Sequence, residues 1–186
     1  MNKTTAIRTV IEATNDHPII FTTGYSCRIA QAIADRPSHF YMTGSMGLAS
    51  SIGIGVALAT RRTTVVVDGD GSLLMNLVGL ITAGAIDELP LVHIVLDDGM
   101  YASTGGQRTP SRRTDLGGLA AAAGYAGVWD VNSGEDFAAL VRSAIVDRSA
   151  PVFIRCSLNE PDEPISGRID YELSLHARRF SEQLTG

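Results

Sequence analysis

Four turns built around glycine follow one another along the chain, each just past a stretch that reads as a buried strand. They are Gly24, the run Gly44-Ser45-Met46-Gly47, the run Gly69-Asp70-Gly71-Ser72, and Asp97-Asp98-Gly99 leading into Ser103-Thr104-Gly105-Gly106-Gln107. The stretch before the third, Thr63 to Val67, is β-branched throughout, which suits a strand covered on both faces and hence a parallel sheet. In such a sheet the carboxyl ends of the strands share one edge, so turns stripped of side chains there let backbone approach a single ligand. The pattern implies an α/β chain built around a phosphate-bearing cofactor.

The remaining periodicities fit that frame. Ala6, Ile7, Val10 and Ile11 recur at helical spacing until Asn15-Asp16-His17-Pro18 stops the helix. Strands are expected at Ile19 to Thr22, Phe40 to Met42, Leu91 to Leu96, Val128 to Val131 and Val152 to Ser157. Helices are expected over Ser26 to Ala34, Leu48 to Thr60, Leu73 to Ile86, Asp115 to Ala123, Ser133 to Val146 with a Ser133/Asp136 capping pattern, and Tyr171 to Leu184. Gly53 and Gly55 inside the second of these cost about 1 kcal/mol each against alanine, which close packing on a sheet or a cofactor would justify. The expected architecture is a single-domain, three-layer α/β/α sandwich with a mainly parallel central sheet over residues 1–158. Residues 159–186 form a C-terminal extension that reads as a partner-contacting appendage.

Size and charge narrow the partners. A chain of 186 residues with 45% apolar residues is expected to form one soluble domain with a sizeable core. Lys plus Arg total 15 against 20 Asp plus Glu, with no basic run, which argues against nucleic acid. No apolar run approaches the roughly 18 residues of a membrane span, and the two cysteines lie far apart in unlike settings, so reduced thiols and a cytoplasmic location are expected. The four histidines show no ligand spacing and are read as structural or exposed.

Asp70 follows a buried strand and opens a helix, where backbone amides also bind phosphate oxygens. A carboxylate beside phosphates invites Mg²⁺, which takes one or two carboxylates plus substrate oxygens. Asp98 stands at the end of the next strand, one crossover later, and the Met100 carbonyl is available as a third oxygen. Asp68 is expected to point away from this cluster.

The order Gly44-Ser45-Met46-Gly47, Gly69-Asp70-Gly71-Ser72 and Asp97-Asp98 resembles the cofactor-diphosphate domain of thiamine diphosphate enzymes, over nearly the whole chain. Thr22-Thr23-Gly24, Gly71-Ser72-Leu73-Leu74-Met75-Asn76-Leu77 and Tyr101-Ala102-Ser103-Thr104-Gly105-Gly106-Gln107 look in particular like the phosphonopyruvate and sulfopyruvate decarboxylases. The resemblance implies the thiamine diphosphate-binding fold, with Asp70, Asp98 and the Met100 carbonyl on Mg²⁺. Gly69, Gly71, Ser72 and the Gly24-Tyr25-Ser26 turn would lie at the diphosphate. The Gly44 carbonyl would accept from the cofactor's amino group beside Ser45, Met46 would hold the cofactor bent, and Tyr101 would lie against it. Ser103, Thr104 and Arg108 would meet the substrate.

In that family the residues corresponding to Asp97-Asp98 are usually two asparagines. A carboxylate in place of an amide adds negative charge, tightening cation binding but repelling diphosphate unless another cation compensates. The family's activating glutamate comes from a pyrimidine-binding domain that does not fit in this length. The resemblance therefore implies a β subunit, active with a separate pyrimidine-binding α subunit in a heterotetramer. Together they would convert 3-phosphonopyruvate or 3-sulfopyruvate to the corresponding aldehyde and CO₂. Decarboxylation or carboligation of another 2-keto acid, a noncatalytic cofactor-binding homologue and a nucleotide-binding module remain as alternatives. The last lacks a Gly-x-Gly-x-x-Gly after the first strand.

Overall fold

The structure is a computed structural model that describes residues 1–132, 134–146, 151–162, 164 and 167–185. Six strands form one sheet: β1 Ile19–Phe21, β2 His39–Tyr41, β3 Thr64–Gly69, β4 Leu91–Asp97, β7 Gly127–Val131 and β8 Val152–Ser157. Their order is β2-β1-β3-β4-β8-β7 and every pairing is parallel. The chain steps from β1 outward to β2 and then back across to β3, so the order reverses beside β1. Ligands of open α/β sheets bind outside the carboxyl ends of strands at such a reversal.

Side chains alternate across the sheet and divide the core in two. Val65 and Val67 of β3 pack with α1 Lys3–Ala13, α2 Tyr25–Ile33 and α7 Gly134–Val146, through Ile7, Val10, Ile29, Phe137 and Val141. Val66 faces α3 Ala49–Thr60, α5 Val78–Gly84 and α6 Leu116–Ala123, through Ile54, Ala57, Leu80 and Ala120. The expected three layers are present. Gly53 is where α3 comes down on β3: a Cβ there would lie 2.2 Å from Val66 Cγ2, whereas one on Gly55 would meet nothing within 4 Å. The close-packing explanation holds for the first glycine only.

Two elements differ from the expectation. The helix expected over Leu73 to Ile86 is two helices, α4 Asp70–Met75 and α5, because Asn76 leaves helical geometry with φ −151°. Its side-chain amide donates to the Gly47 carbonyl at 2.9 Å, so a contact from a distant turn interrupts the helix. The polar loop after β4 contains a small antiparallel hairpin, β5 Met100–Tyr101 with β6 Gln107–Arg108, followed by a 3₁₀ turn at Pro110–Arg113. The Tyr101 carbonyl gathers the N–H groups of Thr104, Gly105 and Gly106, and Gly106 supplies the positive φ of 70° that closes the turn.

The C-terminal helix α8, Leu173–Thr185, lies along β2 of its own chain. Tyr41 N–H donates to His176 Nε2 at 2.9 Å, and the His176 ring stacks with Phe40, Tyr41 and Tyr171. A sheet edge that would otherwise offer an unpaired backbone is thereby covered. The Ser133/Asp136 cap expected for α7 lies outside the described residues, since Ser133 is not among them. Among the described residues no helix is long and apolar enough to cross a membrane.

Candidate functional site

Three of the glycine turns meet at one hydroxyl. Ser72, in the first turn of α4, accepts from the Gly47 N–H at 3.0 Å and shares a hydrogen bond with Thr22 Oγ1 at 2.9 Å. The ends of β1, β2 and β3 are tied together beside Asp70. Between Gly44 and Gly47 the backbone turns through left-handed geometry, with Ser45 at φ 59° and Gly47 at φ 93°. A Cβ at Gly71 would lie 2.5 Å from the Tyr101 ring, so a side chain there would expel Tyr101 from its position against the turn. Gly24 combines φ 98° with an approach to Ser103 Oγ that a Cβ would reduce to 2.9 Å. Backbone approach at these two turns therefore requires glycine.

The acidic residues divide into two groups. Asp70 is only 2% exposed, and its Oδ2 accepts from the Thr109 hydroxyl in a short contact. Burial pushes its carboxyl above the usual carboxylate range; the Asp97 and Asp98 charges push the same way, and the Thr109 hydrogen bond opposes them. Asp97, the last residue of β4, turns away from the cleft. Its Oδ2 accepts from Arg155 Nε at 2.8 Å and Nη2 at 2.7 Å, while its Oδ1 accepts from Ser111 Oγ at 2.8 Å and Gly99 N–H at 3.0 Å. Asp98 points the other way. Its Oδ2 lies 2.6 Å from Lys3 Nζ, and its Oδ1 accepts from the Met100 N–H at 3.2 Å. Asp68 is turned away as expected, toward His93 Nε2 at 3.6 Å, and His93 Nδ1 lies 3.1 Å from the Tyr125 hydroxyl.

A narrow cleft of about 50 Å³ runs between these turns, with Asp70, Gly71, Ser72 and Gly69 on one side and Asp98, Met100, Tyr101 and Ser103 on the other. Tyr25, Ser26 and Met46 complete it. It shares Tyr25, Asp98 and Met100 with an adjoining cavity of about 540 Å³, rimmed by Glu160 and Asp162. Gly24, Gly44 and Ser45 sit in the adjoining turns without lining the cleft. Thr104 is exposed and its hydroxyl donates to the Tyr101 carbonyl at 3.2 Å, while Arg108 is exposed on β6. The charged nitrogen among the cleft's lining residues is that of Lys3. Nothing local in Met-Asn-Lys-Thr-Thr marks this lysine, because its partner Asp98 is 95 residues away.

The donor set suits a hard divalent cation, with one buried carboxylate, one half-buried carboxylate and a backbone carbonyl at the ends of adjacent strands. Among the described residues no group of three His, Cys, Asp or Glu gathers. A cation would complete its shell with ligand oxygens, the usual manner of Mg²⁺ held beside phosphates.

Residues 22–156 match the family described as thiamine pyrophosphate enzyme, C-terminal TPP binding domain. A phosphonopyruvate decarboxylase of Streptomyces viridochromogenes is 42% identical over 178 residues, covering 96% of this chain and 45% of the relative. A sulfopyruvate decarboxylase subunit beta of Methanothermobacter thermautotrophicus is 47% identical over 120 residues, 64% of this chain and 65% of the relative. The chain thus spans less than half the length of the first relative and about two thirds of the second. Among solved structures, the thiamine diphosphate-dependent 4-hydroxybenzoylformate decarboxylase of Rhodococcus jostii RHA1 shares the fold with a TM-score of 0.70. Identity there is 23%, over 88% of this chain and 33% of that one.

Proposed function

The chain belongs to the thiamine pyrophosphate enzyme family through its C-terminal TPP binding domain, and from this we propose that it is the cofactor-diphosphate (β) subunit of a 2-keto acid decarboxylase. The reaction is cleavage of 3-phosphonopyruvate or 3-sulfopyruvate to the corresponding aldehyde and CO₂, with a separate pyrimidine-binding α subunit completing the site. The observation that carries this reading is that Asp70, Asp98 and Met100, from the ends of two neighbouring strands, line one cleft. Free cysteines, Cys27 and Cys156, both buried, agree with a reducing, cytoplasmic setting.

Each group in the cleft has a task that its chemistry allows. Asp70, Asp98 and the Met100 carbonyl would hold Mg²⁺, and Gly71, Ser72 and the Gly24-Tyr25-Ser26 turn would receive the diphosphate. The Gly44 carbonyl would accept a hydrogen bond from the cofactor's amino group, and the half-buried Met46 would press an adaptable apolar surface against its middle. When bound, thiamine diphosphate supplies the electron sink for the pair released as CO₂ leaves. Tyr101 and Ser103 close the cleft against water. Arg108, at the hairpin rim, would meet an anionic substrate tail arriving from outside, with Thr104 beside it.

A separate partner is supported by what the chain leaves open. Met75, Val78 and Ile81 are each more than 60% exposed, and Met75 adjoins the Gly47 turn. An apolar patch of this kind beside a site marks an interaction surface. The relative of Methanothermobacter carries the name subunit beta, in keeping with a divided enzyme.

The test is reconstitution. This chain, a pyrimidine-binding chain, Mg²⁺ and thiamine diphosphate are mixed, and aldehyde release from each of the two 3-substituted pyruvates is followed. Activity is expected from the pair and from neither chain alone. Decarboxylation by this chain alone, or a pair that binds the cofactor yet releases no aldehyde from either substrate, would overturn the proposal.

A further inference from the structure

The second of the paired acids, Asp98, brings to the cleft a negative charge that a neutral amide would not. Coulomb repulsion between that charge and an incoming diphosphate calls for a nearby cation. Lys3 answers the description in three respects. Its Nζ lies 2.6 Å from Asp98 Oδ2, its side chain is only 8% exposed, and it lines the same cleft as Asp70 and Ser72. A buried ammonium is expensive unless paired, so its presence at this depth implies a standing partner rather than a chance surface contact.

The lysine is also held from behind. Its backbone N–H donates to Asp162 Oδ1 at 2.7 Å, and Asp162 Oδ2 lies 3.8 Å from Nζ. Asn2 caps the first turn of α1 by accepting from the Thr5 N–H at 2.9 Å. The start of α1 is therefore stitched to the segment after β8, with the ammonium aimed at Asp98. Asp97 is not a competing claimant, since Arg155 takes it on the far side of β4.

Resting on the cofactor reading above, we infer that Lys3 is a built-in countercation that offsets the charge of Asp98, so that the second carboxylate does not face an incoming diphosphate unopposed. Asp98 keeps its oxygens as hard donors for the divalent ion, and the ammonium removes the repulsion that a second carboxylate would impose. The ligand class is an anionic diphosphate carried with a divalent cation. The N-terminal helix, which lies outside the matched residues 22–156, becomes part of the site.

The experiment is a binding cycle read by calorimetry with Mg²⁺ and thiamine diphosphate as the probe, on the protein in its purified assembly. The proteins are wild type, Lys3→Met, Asp98→Asn and the double variant, with unloaded thermal melts of all four. Lys3→Met is expected to weaken binding at least tenfold, Asp98→Asn to bind at least as tightly as wild type, and the double variant to return within about threefold of wild type. Lys3→Met within twofold of wild type, a double variant no better than Lys3→Met, or an Asp98→Asn protein that loses binding overturns the inference. If Lys3→Met does not fold, Lys3→Gln takes its place in the same cycle, with the same outcomes required. If wild type binds no cofactor, the cofactor reading itself falls and takes this inference with it. A wild type that binds while the cycle shows no coupling sinks only the role of Lys3.

Discussion

Replacing Arg155 by methionine should cost about 3 kcal/mol of folding stability, through a residue that touches neither the cleft nor its ligands. Arg155 directs two N–H groups at a single oxygen of Asp97, at 2.7 and 2.8 Å, and Asp97 is fully buried. After the substitution that carboxylate keeps only the Ser111 hydroxyl and the Gly99 N–H. Breaking a buried pair by removing one partner costs about 3 to 5 kcal/mol, and the low end applies because the Arg155 side chain is 18% exposed and water can reach the vacated side. For a chain of this size the loss corresponds to a melting point lower by about 6 to 12 °C. Urea unfolding of wild type, Arg155→Met and Arg155→Met/Asp97→Asn measures it. The double variant removes the orphaned charge and should recover at least about half of the loss. A loss below about 1 kcal/mol for the single variant, or no recovery in the double, would refute the claim that charge pairing orients Asp97.

Gly53→Ala forces a methyl group to within 2.2 Å of Val66 Cγ2 and should destabilise by about 1 to 3 kcal/mol; an unchanged urea midpoint would mean that α3 can lift off the sheet. Ser72→Ala leaves the buried Gly47 N–H without its acceptor, and should cost about 1 to 3 kcal/mol and weaken calorimetric binding of Mg²⁺ and thiamine diphosphate. His39, buried against Tyr41 and beside Arg36, has its pKa lowered to about 4, chiefly by burial and further by the Arg36 charge. Its folded form stays neutral where the unfolded chain takes up a proton near pH 6.5. The stability it allows is therefore complete above about pH 6.5 and lost progressively down to about pH 4, by about 3 kcal/mol. Comparing stability against pH in wild type and His39→Asn should show a shallower acid slope in the variant, and parallel curves would contradict the assignment.

Much of the site was legible because its signals are local. Gly69-Asp70-Gly71-Ser72 lies between a β-branched strand and a helix, and strand, turn and helix all form within one short stretch of chain. Strand alternation would put Asp68 and Asp70 on one face; they face opposite ways because the strand ends at Gly69 and the helix opens at Asp70. Asn76 was read as a helical residue because helix propensity is a local average, and the Gly47 carbonyl that draws it out of the helix belongs to another turn. The hairpin after β4 was hidden for a similar reason. Its glycines announce a turn, but the carbonyl of Tyr101 that gathers three N–H groups is identified only by geometry.

The adjacent acids Asp97 and Asp98 show the boundary most clearly. Sequence alone determined that the chain is a parallel α/β sandwich, that its glycine turns share one edge, and that Asp70 and Asp98 arrive there, because hydrophobic period and turn chemistry act over a few residues. Only the tertiary structure decided that Asp97 answers to Arg155 on the far side of the strand and Asp98 to Lys3 within the cleft. Charge acts through space, and the cations that settle the two carboxylates come from residues 58 and 95 positions away, brought alongside by the folding of the sheet and α1.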